Sequence, residues 1–202
     1  MTHTRQYLTE TCAIAARLDA DKAEEMVREL VALRERHGRL FVIGLGGSAA
    51  NASHAVNDFR KLCGIEAYAP TDNVAELTAR ANDEGWDGIF AAWLRASNIC
   101  ADDGLFVLSV GGGKWEQDER GLIFNKVSFP IVSALRQAKA SAAEIYGIVG
   151  RDGGETAQYA DHCLIIPTVK SERVTPHTEG WQSVILHAIV SHPDLQRNKT
   201  KW

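Results

Sequence analysis

The chain has 202 residues, near the length of one generous domain, and its 45% hydrophobic and 24% charged residues exclude a disordered or fibrous protein. Acids outnumber bases 26 to 22, and the net charge of −4 argues against a dedicated nucleic-acid binder. No apolar run approaches the ~18 residues of a membrane span. The polar start, Met1 to Gln6, carries no signal-peptide pattern. Cys12, Cys63, Cys100 and Cys163 are scattered with no CxxC spacing, so reduced thiols in a cytoplasmic protein are expected.

Apolar residues at helical spacing predict helices over residues 5–16 and 21–37, and Gly38 ends the second. Residues 40–45 form a continuous apolar run, as a strand buried on both faces requires. Further strands are expected at 65–69, 105–110, 144–149 and 163–167. Helical patterns at 51–62, 74–80, 87–97, 128–142 and 177–191 alternate with them. That alternation predicts an α/β fold. It is a three-layer, doubly wound, flavodoxin-like sheet of five parallel strands, led by N-terminal helices. One domain is expected over 1–202, with helices in 1–38 and the α/β core in 39–202. The charged, glycine-rich stretch 111–127 reads as an extended loop.

In open parallel sheets, ligands sit beyond the carboxyl ends of the strands. Gly44-Leu45-Gly46-Gly47-Ser48 leaves the first strand and enters a helix. Glycine lets backbone approach a ligand, and a helix start favours an anion. The sequence is neither a Walker loop nor a GxGxxG fingerprint. A tight βα connection is the alternative. Ser109-Val110-Gly111-Gly112-Gly113 follows another strand, so two glycine–serine turns are placed to face one phosphorylated ligand. The third cluster, Gly150 to Gly154, reads as a surface turn.

The helix after the first turn carries Asn51, His54 and Asp58 on one face. A His and an Asp four apart can bind a metal or act as an acid/base pair; a solvated polar face is the alternative. On the last helix, Glu179 and His187 stand eight apart, ~12 Å of helix rise.

Together these residues resemble the sugar isomerase (SIS) domain, and within it the phosphoheptose isomerases. The likeness covers the leading helices, the Gly46-Gly47-Ser48 turn, Asn82-Asp83, the second serine turn and the last helix. It implies an aldose–ketose isomerase of the SIS fold acting on sedoheptulose 7-phosphate, working as a homotetramer with sites built between subunits. It implies Asp58 and His187 as the acid/base pair. It implies a divalent metal, zinc in such members, on His54, Asp58, Glu179 and His187. Gly46, Gly47, Ser48, Ser109, Gly111 and Gly112 would hold the phosphate, with Ser128 as a further donor. Asn82, Asp83 and Glu179 would meet the sugar. The chain departs from the family at Asp58 (usually Glu), Glu179 (Gln), Leu45 (Asn) and in a second turn that keeps only Ser109. A non-catalytic phosphosugar sensor or assembly module is the rival reading; it predicts loss of an acid/base pair that this chain retains.

Overall fold

The computed structural model describes residues 1–120 and 123–199. Two helices lead, α1 (His3–Arg17) and α2 (Ala20–Glu35). Asp19 caps α2 by accepting from the Lys22 N–H. Then strands and helices alternate: β1 (Leu40–Gly44), α3 (Gly47–Asp58), β2 (Ala67–Tyr68), α4 (Val74–Asp83), α5 (Ile89–Ala96) and β3 (Gly104–Ser109). A pair of short strands follows, β4 (Lys114–Gln117) and β5 (Ile123–Val127). The chain continues through α6 (Phe129–Ala140), β6 (Glu144–Val149), α7 (Gly154–Tyr159), β7 (His162–Ile165) and α8 (Val174–Val190).

Five strands form a parallel sheet in the order β2-β1-β3-β6-β7. The order reverses direction between β1 and β3. That switch point opens a crevice at the carboxyl ends of these two strands. Alternate residues of each strand face opposite layers. Leu40, Val42, Phe106, Tyr146 and Ile148 join Ile14, Met26, Leu30, Leu33, Phe59, Leu186 and Ile189 in one core. Phe41, Ile43, Leu105, Val107 and Ile145 join Phe90, Leu94, Ile131 and Leu135 in the other. Three layers result, and residues of α1 and α2 belong to the first core.

The structure corrects the expectation for 111–127, of which residues 121 and 122 lie outside the described residues, as do 200–202 at the end of the chain. The stretch is not a loop: β4 and β5 pair antiparallel, with an irregularity at Glu116/Gln117. An isolated two-stranded ribbon is marginal in water. This one is docked, because the Trp115 indole N–H donates to Glu155 (3.1 Å) and the Arg136 guanidinium stacks 4.0 Å from its ring centroid. That docking is tertiary, so charge and glycine content alone point to a loop.

Candidate active site

The turn after β1 is shaped by Gly46, which caps α3 with φ 62°. Side-chain-bearing residues adopt that region at a cost. Ser48 follows in the first turn of α3. It is 1% exposed, and its hydroxyl has no hydrogen-bond partner among the described residues. A buried hydroxyl without a partner costs roughly 1–3 kcal/mol, so a ligand group that meets it would recover that loss.

Ser48 opens into a cavity of about 660 Å³ whose walls include Ser109, Gly111, Gly113, Ser128 and Arg151. Both predicted serine turns therefore face one space, with Ser128 beyond the β4–β5 ribbon. The Ser109 hydroxyl accepts from the Gly112 N–H (3.0 Å), which folds the second turn back on itself. Gly46, Gly47 and Gly112 do not line it; the first two are exposed at the turn and Gly112 is buried beneath the second turn.

The third glycine cluster is more than the surface turn expected, and this is a second correction. A Cβ on Gly112 (φ 69°) would stand 1.7 Å from the Gly153 carbonyl oxygen. The Gly112 carbonyl accepts from the Thr156 N–H (2.9 Å) and hydroxyl (2.7 Å), and the Gly113 carbonyl from the Glu155 N–H (3.0 Å). The two turns interlock backbone against backbone, which only glycine permits. Arg151, Asp152, Gly154 and Glu155 consequently line the cavity too. These residues, with Lys114, Trp115, Gln158 and Thr175, were not singled out from sequence. The strand-end rule that located the first two turns applies equally after β6.

The polar stripe lies further along α3. Helices α3 and α8 run side by side in the same direction. Gly47 stands against Glu179, Asn51 donates to the Glu179 carbonyl (2.9 Å) and the Gln182 side chain (3.0 Å), and His54 meets His187. At the last level three side chains converge. His54 Nε2 lies 3.0 Å from His187 Nε2 and 3.1 Å from Asp58 Oδ2, and His187 Nε2 lies 3.7 Å from the same oxygen. Asn57 donates to the other Asp58 oxygen (2.9 Å) and so orients the carboxylate. Directly after Asp58 the helix widens into a π-turn, Phe59–Cys63, a form often found at functional sites.

Two imidazole nitrogens and a carboxylate oxygen around one point make a three-ligand set with an open position, the pattern of a catalytic divalent-metal site. The donor chemistry therefore fits a divalent metal. Glu179 stands apart from the three. It lies two helical turns earlier, where a Cβ on Gly47 would come 2.5 Å from its carboxylate. Its charge there faces the positive end of α3. The His54 and His187 side chains are 54% and 57% exposed, so this chain alone does not enclose the cluster. Asn82 and Asp83 end α4, exposed, with Asn82 donating to Asp83 (2.7 Å); neither lines the cavity.

No family model matches the chain. A phosphoheptose isomerase of Sulfurimonas denitrificans is 30% identical over 159 residues, covering 76% of this chain and 74% of that one. One from Mycobacterium bovis is 28% identical over 199 residues, covering 93% of this chain and 91% of that one. The solved structure of a phosphoheptose isomerase from Francisella tularensis shares the fold, with TM-score 0.76 and 22% identity over 94% of this chain and 97% of that one. Similarity at this level, over most of both chains, means that the chain belongs to the phosphoheptose isomerase family.

Proposed function

We propose that the protein is an aldose–ketose isomerase of a phosphorylated sugar, with sedoheptulose 7-phosphate the substrate that family membership favours. The observation that carries this reading is the convergence of Asp58 and His187 on one point beside His54. The reaction removes a proton from the carbon beside a carbonyl and delivers one to the neighbouring carbon through a cis-enediol. Two poised groups of these types can shuttle both protons. Asp58 is mostly buried and oriented by Asn57, whereas His187 is exposed, so the pair offers one fixed and one solvent-linked group.

Ser48, Ser109, Ser128 and Gly111 would take the phosphate in the cavity. Size supports a long substrate. His54 lies six residues beyond Ser48, ~9 Å of helix rise. A seven-carbon chain with a terminal phosphate spans ~10 Å at ~1.5 Å per bond. A three-carbon phosphate is too short to reach both.

A divalent metal, zinc by family, would be held by His54, Asp58 and His187. Glu179 joins that set only if its carboxylate leaves Gly47; otherwise, with Asn82 and Asp83, it contacts the sugar. When bound, the metal supplies polarisation of the carbonyl and the adjacent hydroxyl. The half-exposed histidines support a homotetramer in which a second copy covers the cluster and brings Asn82 and Asp83 of another chain to it. Four free thiols support a cytoplasmic location. Among the described residues no helix is long and apolar enough to cross a membrane.

The test is incubation of purified protein, after metal analysis, with sedoheptulose 7-phosphate and with pentose and hexose phosphates. Conversion of the heptulose phosphate to an aldose supports the reading. Binding without conversion by metal-replete protein overturns it in favour of a sensor. Chelation then assigns the roles: activity that survives metal removal leaves Asp58 and His187 as free acid and base.

A further inference from the structure

We propose that Arg151, from the third glycine turn, is the charge partner of the substrate phosphate; the inference rests on the isomerase reading above. The cavity needs such a partner. Its serines are neutral, and Asp152 and Glu155 line the same space. A dianionic phosphate beside two carboxylates is held only where cations offset them. Both carboxylates already have partners, since Asp152 accepts from the Gly154 N–H (3.2 Å) and Glu155 from Trp115 (3.1 Å). Of the two cations in the wall, Lys114 is paired with Glu116 (2.5 Å). Arg151 has neither an ion pair nor a hydrogen bond to its guanidinium among the described residues. Its side chain lies over the second turn, where a Cβ on Gly111 would stand 3.6 Å from Arg151 Cδ and 3.9 Å from Nε.

The backbone makes a second argument. Five non-glycine residues have positive φ: His37, Asn98, Ser128, Ala142 and Arg151. His37, Asn98 and Ala142 directly follow the C-caps of α2, α5 and α6, where left-handed backbone is ordinary. The other two, Ser128 (φ 52°) and Arg151 (φ 52°), both line the cavity. Glycine would relax position 151, as it does at neighbouring Gly153 (φ 84°). An arginine held there in strained backbone points to a task for its side chain. Its forked donors suit phosphate oxygens better than an ammonium does. Ser109 is the one hydroxyl residue of the second turn, Ser109 to Gly113, and Arg151 supplies from the turn after the neighbouring strand the charge that this turn lacks.

The experiment measures inorganic phosphate binding by calorimetry, KM and kcat for sedoheptulose 7-phosphate, and Tm, for the full chain and for Arg151→Gly, Arg151→Met and Arg151→Lys. Arg151→Gly should weaken phosphate binding and raise KM by about 10- to 100-fold, the range for a charge-assisted hydrogen bond. Its kcat should change little, and its Tm should hold or rise as the strain is released. Arg151→Met should lose affinity equally, and Arg151→Lys should keep part of it. Unchanged phosphate affinity in the glycine and methionine variants overturns the proposal, and a lower Tm beside it makes Arg151 structural. Normal turnover with an unaltered KM in those variants overturns the role of Arg151 alone. Phosphate binding that depends on Arg151 in a protein that isomerises no phosphosugar overturns the isomerase reading instead.

Discussion

The two ends of α3 are built by opposite means. At its start, the glycine-turn cavity is largely a backbone construction, in which the second and third turns interlock through carbonyls and N–H groups and the buried Ser48 hydroxyl of the first lines the same space. Two turns of helix later, the His54–Asp58–His187 cluster is made of side chains alone, half open to solvent. The cavity is thus a rigid holder whose failure should appear as lost stability or affinity. The cluster is a set of donors whose failure should appear as lost turnover. Chemistry is placed where side chains retain freedom, and anchoring where backbone does not.

The largest effect expected is at the cluster. His187→Ala should lower kcat by ~10²–10⁴-fold, the usual contribution of a positioned acid or base. Inorganic phosphate affinity and Tm should stay near wild type. Undiminished turnover in that variant would sink the assignment, and a parallel loss of phosphate binding would erase the separation of the two regions.

The interlocked turns give the next effect. Gly112→Ala should destabilise the protein by at least ~2 kcal/mol, since a left-handed backbone and a clash with the Gly153 carbonyl combine. Urea or thermal unfolding measures it. A variant as stable as wild type means that the turns tolerate separation.

Ser48→Ala removes the hydroxyl without a partner. A rise in KM of about 10-fold with little change in kcat is expected, and Tm should not fall because no internal bond is lost. A fall in kcat with constant KM would move Ser48 from the phosphate to the reacting carbons.

The smallest effect concerns the support of α8. Glu10 on α1 joins Arg173 (2.8 Å) and His177 (2.9 Å) at the start of α8. The Arg173 hydrogen bonds, and then that of His177, hold its carboxyl down to about 2 from 4.5. A carboxylate with a depressed pKa stabilises the fold above its unfolded value and loses that contribution as pH falls through the folded one. Protection of the α1 amides, measured against the intrinsic exchange rate at each pH, should therefore fall between about pH 4.5 and 2, and Glu10→Gln should show the lower protection already at pH 7. Equal exchange in both proteins would mean that α1 is held by its apolar face instead, through Ile14.

Much of the fold was legible because burial leaves a periodic trace. The apolar runs of β1, β3 and β6 are buried on both faces, and the predicted strands fall there within a residue or so. The edge strand expected at 65–69 shrinks to two residues, Ala67–Tyr68, because an edge has one partner to hold it. The short helix α7 was not predicted; six residues carry too little periodicity to register. At the site, spacing placed His54 and Asp58 on one face, and the resemblance joined His187 to them. Spacing could not place Glu179, because which residue of α8 stands opposite which residue of α3 is a matter of packing.

The sequence by itself determined the alternation of the five sheet strands with the longer helices, the glycine turns at strand ends and the chemical types available in the cluster. Those properties are local, set by burial period and backbone sterics. Tertiary structure decided which turns share a cavity, that 114–117 and 123–127 pair as a ribbon, and that Arg151 lines that cavity. It also decided that Glu179 stands with Gly47 rather than with His187. Each of these depends on contacts between segments distant in sequence. Strand order and helix alignment fix such contacts, and residue spacing along one chain does not encode them.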